Sequence, residues 1–336
     1  MTHRIALNFE DGVTRFIEAR PDELVADAAY RLGLNIPMDC RDGACGTCKC
    51  HCESGRYTLG SFIDDAMTDE EAEQGYVLTC QMKAQSDCVI NIPASSSLCK
   101  VKPSSLPATV AEIRQLSLST IGFSLAVAGE PLSYLPGQYV NVSVPGTTQT
   151  RSYSFSSMSR DGAVEFLVRN IPGGLMSSYL AKRAAPGDGL TITGPVGSFY
   201  LREVKRPLLF LAGGTGLAPF LAMLDELKNI GSDQPIHMIY GVTSDADLVE
   251  TDKLTAFAAQ IAGFTYSTIV ADPASGHDRK GYVTNHMPDA VLHGGDVDLY
   301  LCGPPPMVDA VRTHLAERGV VPKSFHFEKF SPSEGK

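Results

Sequence analysis

Four cysteines place the tightest demand on this chain. Cys40, Cys45, Cys48 and Cys80 run as C-x4-C-x2-C and then, after a gap, a lone C, the spacing that holds a plant-type 2Fe-2S cluster. Gly43, Ala44, Gly46 and Thr47 fill the spaces. Side chains this small let a loop wrap tightly, with backbone N–H groups aimed at the sulfurs, and such hydrogen bonds tune the potential. A chain with this loop handles single electrons.

The nine cysteines do not read as a disulfide framework, because the count is odd and no signal-like or transmembrane apolar run opens the sequence. A reducing, cytoplasmic setting is expected. Zinc is the stronger rival, since Cys45 and Cys48 form a C-x2-C pair. A structural zinc site ordinarily brings a second such pair or a His pair, and neither is present. Cys50 and Cys52 alternate with Cys48, so a strand here would put all three on one face. They fall outside the loop spacing and, with Cys88 and Cys99, read as small packing residues.

At 336 residues and 43% apolar content, the chain is long enough for two or three domains, each with its own core. Residues 1–98 hold 16 acidic and 8 basic side chains, a balance of −8, and the remaining 238 hold 22 and 20, a balance of −2. The cysteine segment is therefore the acidic one. That argues against nucleic acid and for a protein partner with a basic patch, unless the acid only keeps the domain soluble. No membrane partner is expected, and with no obligate apolar interface suggested, a monomer is.

Ile5, Leu7 and Phe9 alternate with polar residues, Asp11-Gly12 marks a turn, and residues 13–17 supply a second strand. Leu24, Val25, Ala28, Ala29 and Leu32 follow at helical spacing, with Gly33 placed to end the helix. Thr68 and Glu71 form a capping box for a short helix, residues 76–79 deliver Cys80, and a strand at 88–92 closes a small α+β sheet domain. Residues 93–107, rich in Pro, Ser and Lys, read as a linker. Short strands at 108–113, 121–127, 139–144 and 164–169, separated by Gly and Pro turns, predict an antiparallel barrel. From Pro207 strands (208–212, 236–240, 265–270, 297–301) alternate with helices (218–228, 251–260, 307–317), predicting a parallel α/β domain. The expected domains are 1–97, a linker at 98–106, 107–205 and 206–336.

Three further motifs carry chemistry. Arg151-Ser152-Tyr153-Ser154 leaves a strand with a cation, a flat ring and two hydroxyls, a group suited to a phosphate and a flavin. Gly173-Gly174-Leu175-Met176-Ser177 leads into a short helix whose free N–H groups suit an anion, with Ser177 as its expected N-cap. Leu211-Ala212-Gly213-Gly214-Thr215-Gly216-Leu217-Ala218-Pro219 joins a buried strand to a helix, where a parallel α/β domain binds a pyrophosphate, unless the glycines serve only tight packing. It has neither G-x-G-x-x-G spacing nor a Gly-Lys-Ser/Thr ending, which argues against ATP. Cys302-Gly303-Pro304 ends another strand at what should be the same sheet edge. Cys302 has no evident His to activate it, and a packing thiol is its ordinary reading.

With the cysteine loop, residues 151–154, residues 213–219 and residues 302–304 in this order, the chain resembles the ferredoxin-NAD(P) reductase superfamily fused to an N-terminal plant-type ferredoxin domain. It is most similar to the reductase components of benzoate, toluate and anthranilate 1,2-dioxygenases, on Asn35-Ile36-Pro37-Met38-Asp39-Cys40-Arg41, residues 152–156 and the ending Phe327-Glu328-Lys329-Phe330. The resemblance implies a β-grasp ferredoxin domain, an antiparallel β-barrel flavin domain and a parallel α/β nucleotide-binding domain. The N-terminal placement of the ferredoxin implies FAD rather than FMN. Arg151, Tyr153 and Ser154 would hold the flavin, with Ser154 near its N5, and Val168, Arg169, Asn170, Leu175, Met176 and Ser177 would line the rest of the site. Gly214 to Ala218 would bind the nicotinamide dinucleotide, Cys302 to Pro304 would position its ring, and Phe330 is the candidate aromatic shield of the flavin.

After the strand at 236–240, Gly241-Val242-Thr243-Ser244-Asp245-Ala246-Asp247 is acidic and holds no Arg or Lys for a 2′-phosphate, so NADH is preferred unless Lys253, Arg279 or Lys280 reaches in. The expected electron path runs from NADH to FAD to the 2Fe-2S cluster and on to a separate terminal oxygenase. Two other readings remain open from the residues. The same path could serve a diiron monooxygenase such as a phenol hydroxylase, or the chain could be a non-catalytic redox-sensing or ferredoxin-like binding module.

Overall fold

The structure is a computed structural model. It describes residues 2–38, 43, 44, 46–64, 66–99, 104–129, 132–159 and 162–330. Cys40 and Cys45, two of the expected cluster ligands, lie outside the described residues. The chain divides into two compact units, residues 1–104 with 194–198, and residues 105–193 with 199–336.

In the first unit β1 (His3–Phe9) and β2 (Thr14–Ala19) form the expected hairpin, turned at Gly12 with φ 77°. α1 (Val25–Arg31) follows, and Gly33 takes the left-handed φ of 84° just beyond its end. Then come β3 (Lys49–Ser54), β4 (Tyr57–Leu59), α2 (Asp69–Glu73), β5 (Tyr76–Leu78), β6 (Met82–Ala84), β7 (Cys88–Ile92) and α3 (Ser96–Cys99). The capping box of Thr68 and Glu71 is formed as read. The main sheet runs β2-β1-β7-β3-β5, with β1 and β7 parallel, and it grips α1 through Val25, Ala28 and Ala29. Cys50, Cys52, Cys88 and Cys99 are buried in that core.

The expected linker is partly structured. Helix α3 interrupts it, held by Asp11, whose Oδ2 accepts from Ser96 N at 2.9 Å and Ser96 Oγ at 2.8 Å. Strand β8 (Ser104–Gln115) then starts inside the interval 98–106, where a Pro- and Ser-rich composition concealed the start of a strand of the barrel.

The barrel continues with β9 (Thr120–Val127), β10 (Tyr139–Ser143), β11 (Thr150–Ser154), β12 (Ala163–Arg169), α4 (Leu175–Lys182) and β13 (Gly189–Val196), in the sheet order β11-β10-β13-β8-β9-β12. A bridge between Phe155 and Phe166, and Ser156 N donating to Glu165 O at 2.8 Å, join the two end strands and close it. Strand β13 was not read from sequence. It carries Gly189, Gly194 and Pro195, which disguise the alternation of its buried Leu190 and Ile192.

The rest of the second unit is β14 (Leu208–Gly213), α5 (Ala218–Ile230), β15 (Ile236–Val242), α6 (Thr251–Gln260), β16 (Phe264–Val270), α7 (Asp289–Leu292), β17 (Asp298–Gly303), α8 (Pro305–Glu317) and β18 (Ser324–Lys329). All five strands are parallel, in the order β16-β15-β14-β17-β18. Both faces are covered, so β14 reads as a continuous apolar run, with Phe210 in one core and Leu209 and Leu211 in the other. The order reverses between β14 and β17, and the crevice beyond their carboxyl ends is where such sheets take ligands. Edge strand β18 is half-buried at every position and shows no alternation, which hid it from the sequence reading.

Candidate functional site

In the first unit the two expected cluster ligands that are described share one apolar pocket. Cys48 and Cys80 are both 2% exposed and pack with Ala26, Ala66, Met67 and Leu78. Thr79, next to Cys80, donates its N–H to Cys48 O at 3.1 Å. Cys50 and Cys52 belong to the sheet core instead, so the alternation does not gather three thiols at one site. The glycines of the loop are required by contact. A Cβ on Gly43 would stand 2.3 Å from Ser61 O, one on Gly46 2.9 Å from Ala66 O, and both residues have positive φ. A donor set of soft thiols in a dry pocket, under a close-wrapped loop, fits an iron–sulfur group.

In the barrel the tetrapeptide Arg151 to Ser154 is itself most of strand β11, and strand alternation splits it. Tyr153 and Arg151 stand opposite Val140 and Val142 of β10, while Ser152 and Ser154 stand opposite Asn141 and Tyr139. Tyr153 meets Phe123 edge-on, with ring centroids 6.1 Å apart. Ser152 is exposed and donates to Asn141 Oδ1 at 2.7 Å, and Arg151 donates to Gln149 Oε1 at 2.8 Å. Only Ser154 of the four is fully buried.

The start of α4 differs from expectation. Gly174, not Ser177, is the N-cap, and Ser177 lies one turn inside, where its Oγ donates to Ile171 O at 3.0 Å. The hydroxyl fills the place a Cβ on Gly174 would take, 2.6 Å away, which is why the cap carries no side chain. The N–H groups of the first turn still lack intrahelical partners. Leu175 is exposed there, whereas Met176 and Val168 point into the barrel core. Asn170 ties itself to the turn between β8 and β9, donating N to Ser119 O at 2.7 Å and Nδ2 to Leu118 O at 3.1 Å. Arg169 is exposed.

Glycines line the switch-point crevice. A Cβ on Gly216 would lie 2.3 Å from Cys302 O, and one on Gly213 would lie 2.5 Å from Met307 Sδ, which also sits 2.8 Å from the place of a Gly303 Cβ. These glycines pack the turn against β17. Gly214 differs, with a φ of +56° and nothing within 4 Å of an added Cβ. Tight packing on one side and open space on the other, at the head of α5 with Ala218 and Pro219 in its first turn, fit a pyrophosphate. At the carboxyl end of β15, Gly241 packs under Val283. Exposed Asp245 accepts from Ser275 Oγ at 2.7 Å. Asp247 is engaged by Ser244 Oγ at 2.8 Å and by Ser119 Oγ. Lys253 is held by Glu165 and Glu250, each at 3.3 Å, and so is spent elsewhere.

One of the polar contacts between the barrel and the parallel sheet involves a residue that sequence reasoning missed. Ser154 Oγ donates to Glu328 Oε2 at 3.1 Å, and the Cys302 thiol lies 3.9 Å from the same oxygen. Burial pushes the Cys302 thiol well above its ordinary pKa, and the Glu328 carboxylate adds to the shift, so the sulfur stays protonated. Just beyond β18, Phe330 donates its N–H to Gly303 O at 2.9 Å. In the sequence Glu328 stands out only as part of the ending Phe327-Glu328-Lys329-Phe330. A single acid on an unrecognised edge strand gives no periodic signal.

Comparison with known proteins agrees with this architecture. Residues 8–85 match the 2Fe-2S iron-sulfur cluster binding domain, residues 107–200 the oxidoreductase FAD-binding domain and residues 210–313 the oxidoreductase NAD-binding domain. The toluate 1,2-dioxygenase electron transfer component of Pseudomonas putida is 59% identical over 99% of this chain and 100% of its own length. The 2-halobenzoate 1,2-dioxygenase electron transfer component of Burkholderia cepacia is 51% identical over 100% of both. Among solved structures, an Amycolatopsis cytochrome P450 reductase superposes with a TM-score of 0.73 at 30% identity, over 98% of this chain and 100% of that one.

Fold and site together define an iron–sulfur flavin reductase of the ferredoxin-NAD reductase type. More narrowly, the chain belongs to the family of 1,2-dioxygenase electron transfer components. No helix among the described residues is long and apolar enough to cross a membrane.

Proposed function

We propose that this chain takes electrons in pairs from NADH and delivers them singly to a terminal oxygenase that acts on a benzoate-type aromatic acid. The observation that carries the reading is the meeting of Ser154, Cys302 and Glu328 between the barrel and the switch point of the parallel sheet. FAD, when bound, supplies the conversion of a hydride into two single electrons, and the 2Fe-2S cluster carries them one at a time.

The residues divide that work. Gly214 to Ala218 receive the pyrophosphate of the dinucleotide, and Cys302 to Pro304 seat its nicotinamide end. Arg151, Tyr153 and Ser154 hold the flavin, with the first turn of α4 offering N–H groups to its phosphates. Val168 and Met176 act there only through their backbone, because their side chains fill the barrel core. The Ser154 Oγ, its one proton directed to Glu328 Oε2, would present its lone pairs at the flavin side, and the Glu328 carboxylate orients it. The protonated Cys302 thiol adds bulk there without adding a second negative charge. Cys40, Cys45, Cys48 and Cys80 hold the cluster, and the acidic first unit meets a basic patch on the oxygenase. Asp245 takes the adenosine ribose hydroxyls, which favours NADH. The protein works as a cytoplasmic monomer.

Anaerobic titration with NADH tests this reading. Flavin bleaching followed by appearance of a reduced 2Fe-2S EPR signal supports it, and bound chromophores that NADH leaves oxidised would contradict it in favour of a binding module.

A further inference from the structure

We propose that Asp225 is a positioning residue for hydride transfer, its carboxylate on α5 fixing the barrel segment that follows Ser154 against the nucleotide-binding sheet. The inference rests on the function proposed above and concerns a residue that touches neither nucleotide nor flavin in that reading.

Asp225 is a carboxylate only 4% exposed, in the middle of α5. A group so buried is retained only with partners for its charge. Both oxygens are engaged. Oδ1 pairs with Lys228 Nζ at 2.8 Å, and Oδ2 accepts from the backbone N–H of Met158 at 3.1 Å. Lys228 lies on the same helix, so the ion pair binds nothing across the interface. The bond to Met158 does, because Met158 lies in the barrel, four residues after Ser154.

The segment between them is otherwise fixed from the barrel side. Tyr134 stacks on Phe155 with centroids 3.6 Å apart and donates its hydroxyl to Ser157 O at 2.6 Å, and Ser156 N donates to Glu165 O at 2.8 Å. A stiff segment transmits a tether at one end to the other end. Helix α5 begins at Ala218, directly after the glycine turn, so Asp225 links the element that starts at the nucleotide turn to the strand that ends in Ser154. Loss of that tether lets the two sheets shift at the Ser154–Glu328 contact, where a displacement of about 1 Å costs on the order of 100-fold in rate.

The test separates the acceptor oxygen from the charge. Asp225→Asn with Lys228→Met removes the ion pair but keeps an oxygen for Met158 N–H, while Asp225→Leu with Lys228→Met removes both in a shape that a helix accommodates. The flavin-loaded proteins are mixed with NADH in a stopped-flow instrument, and amide exchange at Met158 is measured without NADH. The proposal expects the Asn pair to stay within about threefold of wild type with Met158 protected. It expects the Leu pair to fall about tenfold or more at saturating NADH, with Met158 exchange accelerated and NADH affinity unchanged. Equal rates in the two pairs overturn it, as does a Leu pair whose loss lies wholly in KM. An Asp225→Ala, Lys228→Ala pair is measured in parallel and answers the question where the Leu pair does not fold. Failure of wild type to reduce its flavin contradicts the proposed function instead.

Discussion

Ser154 of the barrel donates its hydroxyl to Glu328 of the edge strand at 3.1 Å, across 174 residues of sequence. The contact ties a residue that sequence singled out to one it passed over, and it puts a carboxylate beside the Cys302 end of β17. Glu328→Gln keeps a hydrogen-bonding oxygen but loses the charge. Flavin reduction by NADH should slow by about 10- to 100-fold, with flavin content unchanged, as stopped-flow absorbance will show.

Cys80→Ser tests the other end of the path. Cys80 shares its pocket with Cys48, and a hydroxyl is a poor substitute for a thiolate at an iron–sulfur site. The variant should retain NADH-dependent reduction of its flavin and of a small dye, while transfer to a one-electron protein acceptor falls to background. Wild-type transfer in this variant would remove the cluster from the route.

The cysteine spacing, the glycine turn and the alternation of strand and helix after Pro207 made three domains legible, because each is a local pattern with its own period or punctuation. What stayed hidden was non-local. Glu328 acquires its role only when β18 pairs beside β17, and Ser177 looked like a cap because the helix start depends on Gly174 fitting over its hydroxyl. The alternation of Cys48, Cys50 and Cys52 suggested one shared face, but β3 begins at Lys49, so Cys48 turns into the loop pocket.

Gly216 and Gly214 should respond differently to alanine. A Cβ at 216 meets the Cys302 carbonyl at 2.3 Å, and both contacting groups are backbone, so Gly216→Ala should cost about 1–3 kcal/mol and raise the KM for NADH. At 214 the space is open and only the φ of +56° resists, for about 1 kcal/mol. Thermal melts of the two variants will rank them.

His326 is held neutral by burial, with the Arg202 cation adding to the effect, and its pKa falls to about 4. Its ring lies against that of Tyr300, tilted by 35° with centroids 4.7 Å apart. The unfolded chain takes up this proton near pH 6.5, before the folded protein does. Stability from this site is therefore complete above about pH 6.5 and is lost as pH drops toward 4, by about 3 kcal/mol. His326→Phe should flatten that part of a urea-denaturation profile measured from pH 7 to pH 4.

Asp245 offers an exposed carboxylate at the end of β15, while Asp247 is engaged by Ser244 and Ser119. Asp245→Ser should narrow the preference for NADH over NADPH by about tenfold, chiefly through KM, whereas Asp247→Ser should instead lower stability. Steady-state kinetics with both dinucleotides will distinguish the two.

In the proposed function, electrons entering at the switch point leave through the acidic iron–sulfur unit to a ring-hydroxylating dioxygenase. Its most direct test is reconstitution of the purified protein with a panel of terminal oxygenases, following NADH oxidation with each aromatic acid. Substrate-dependent NADH consumption, matched by diol product, is expected with a benzoate-type 1,2-dioxygenase. Turnover with a diiron hydroxylase alone would contradict it.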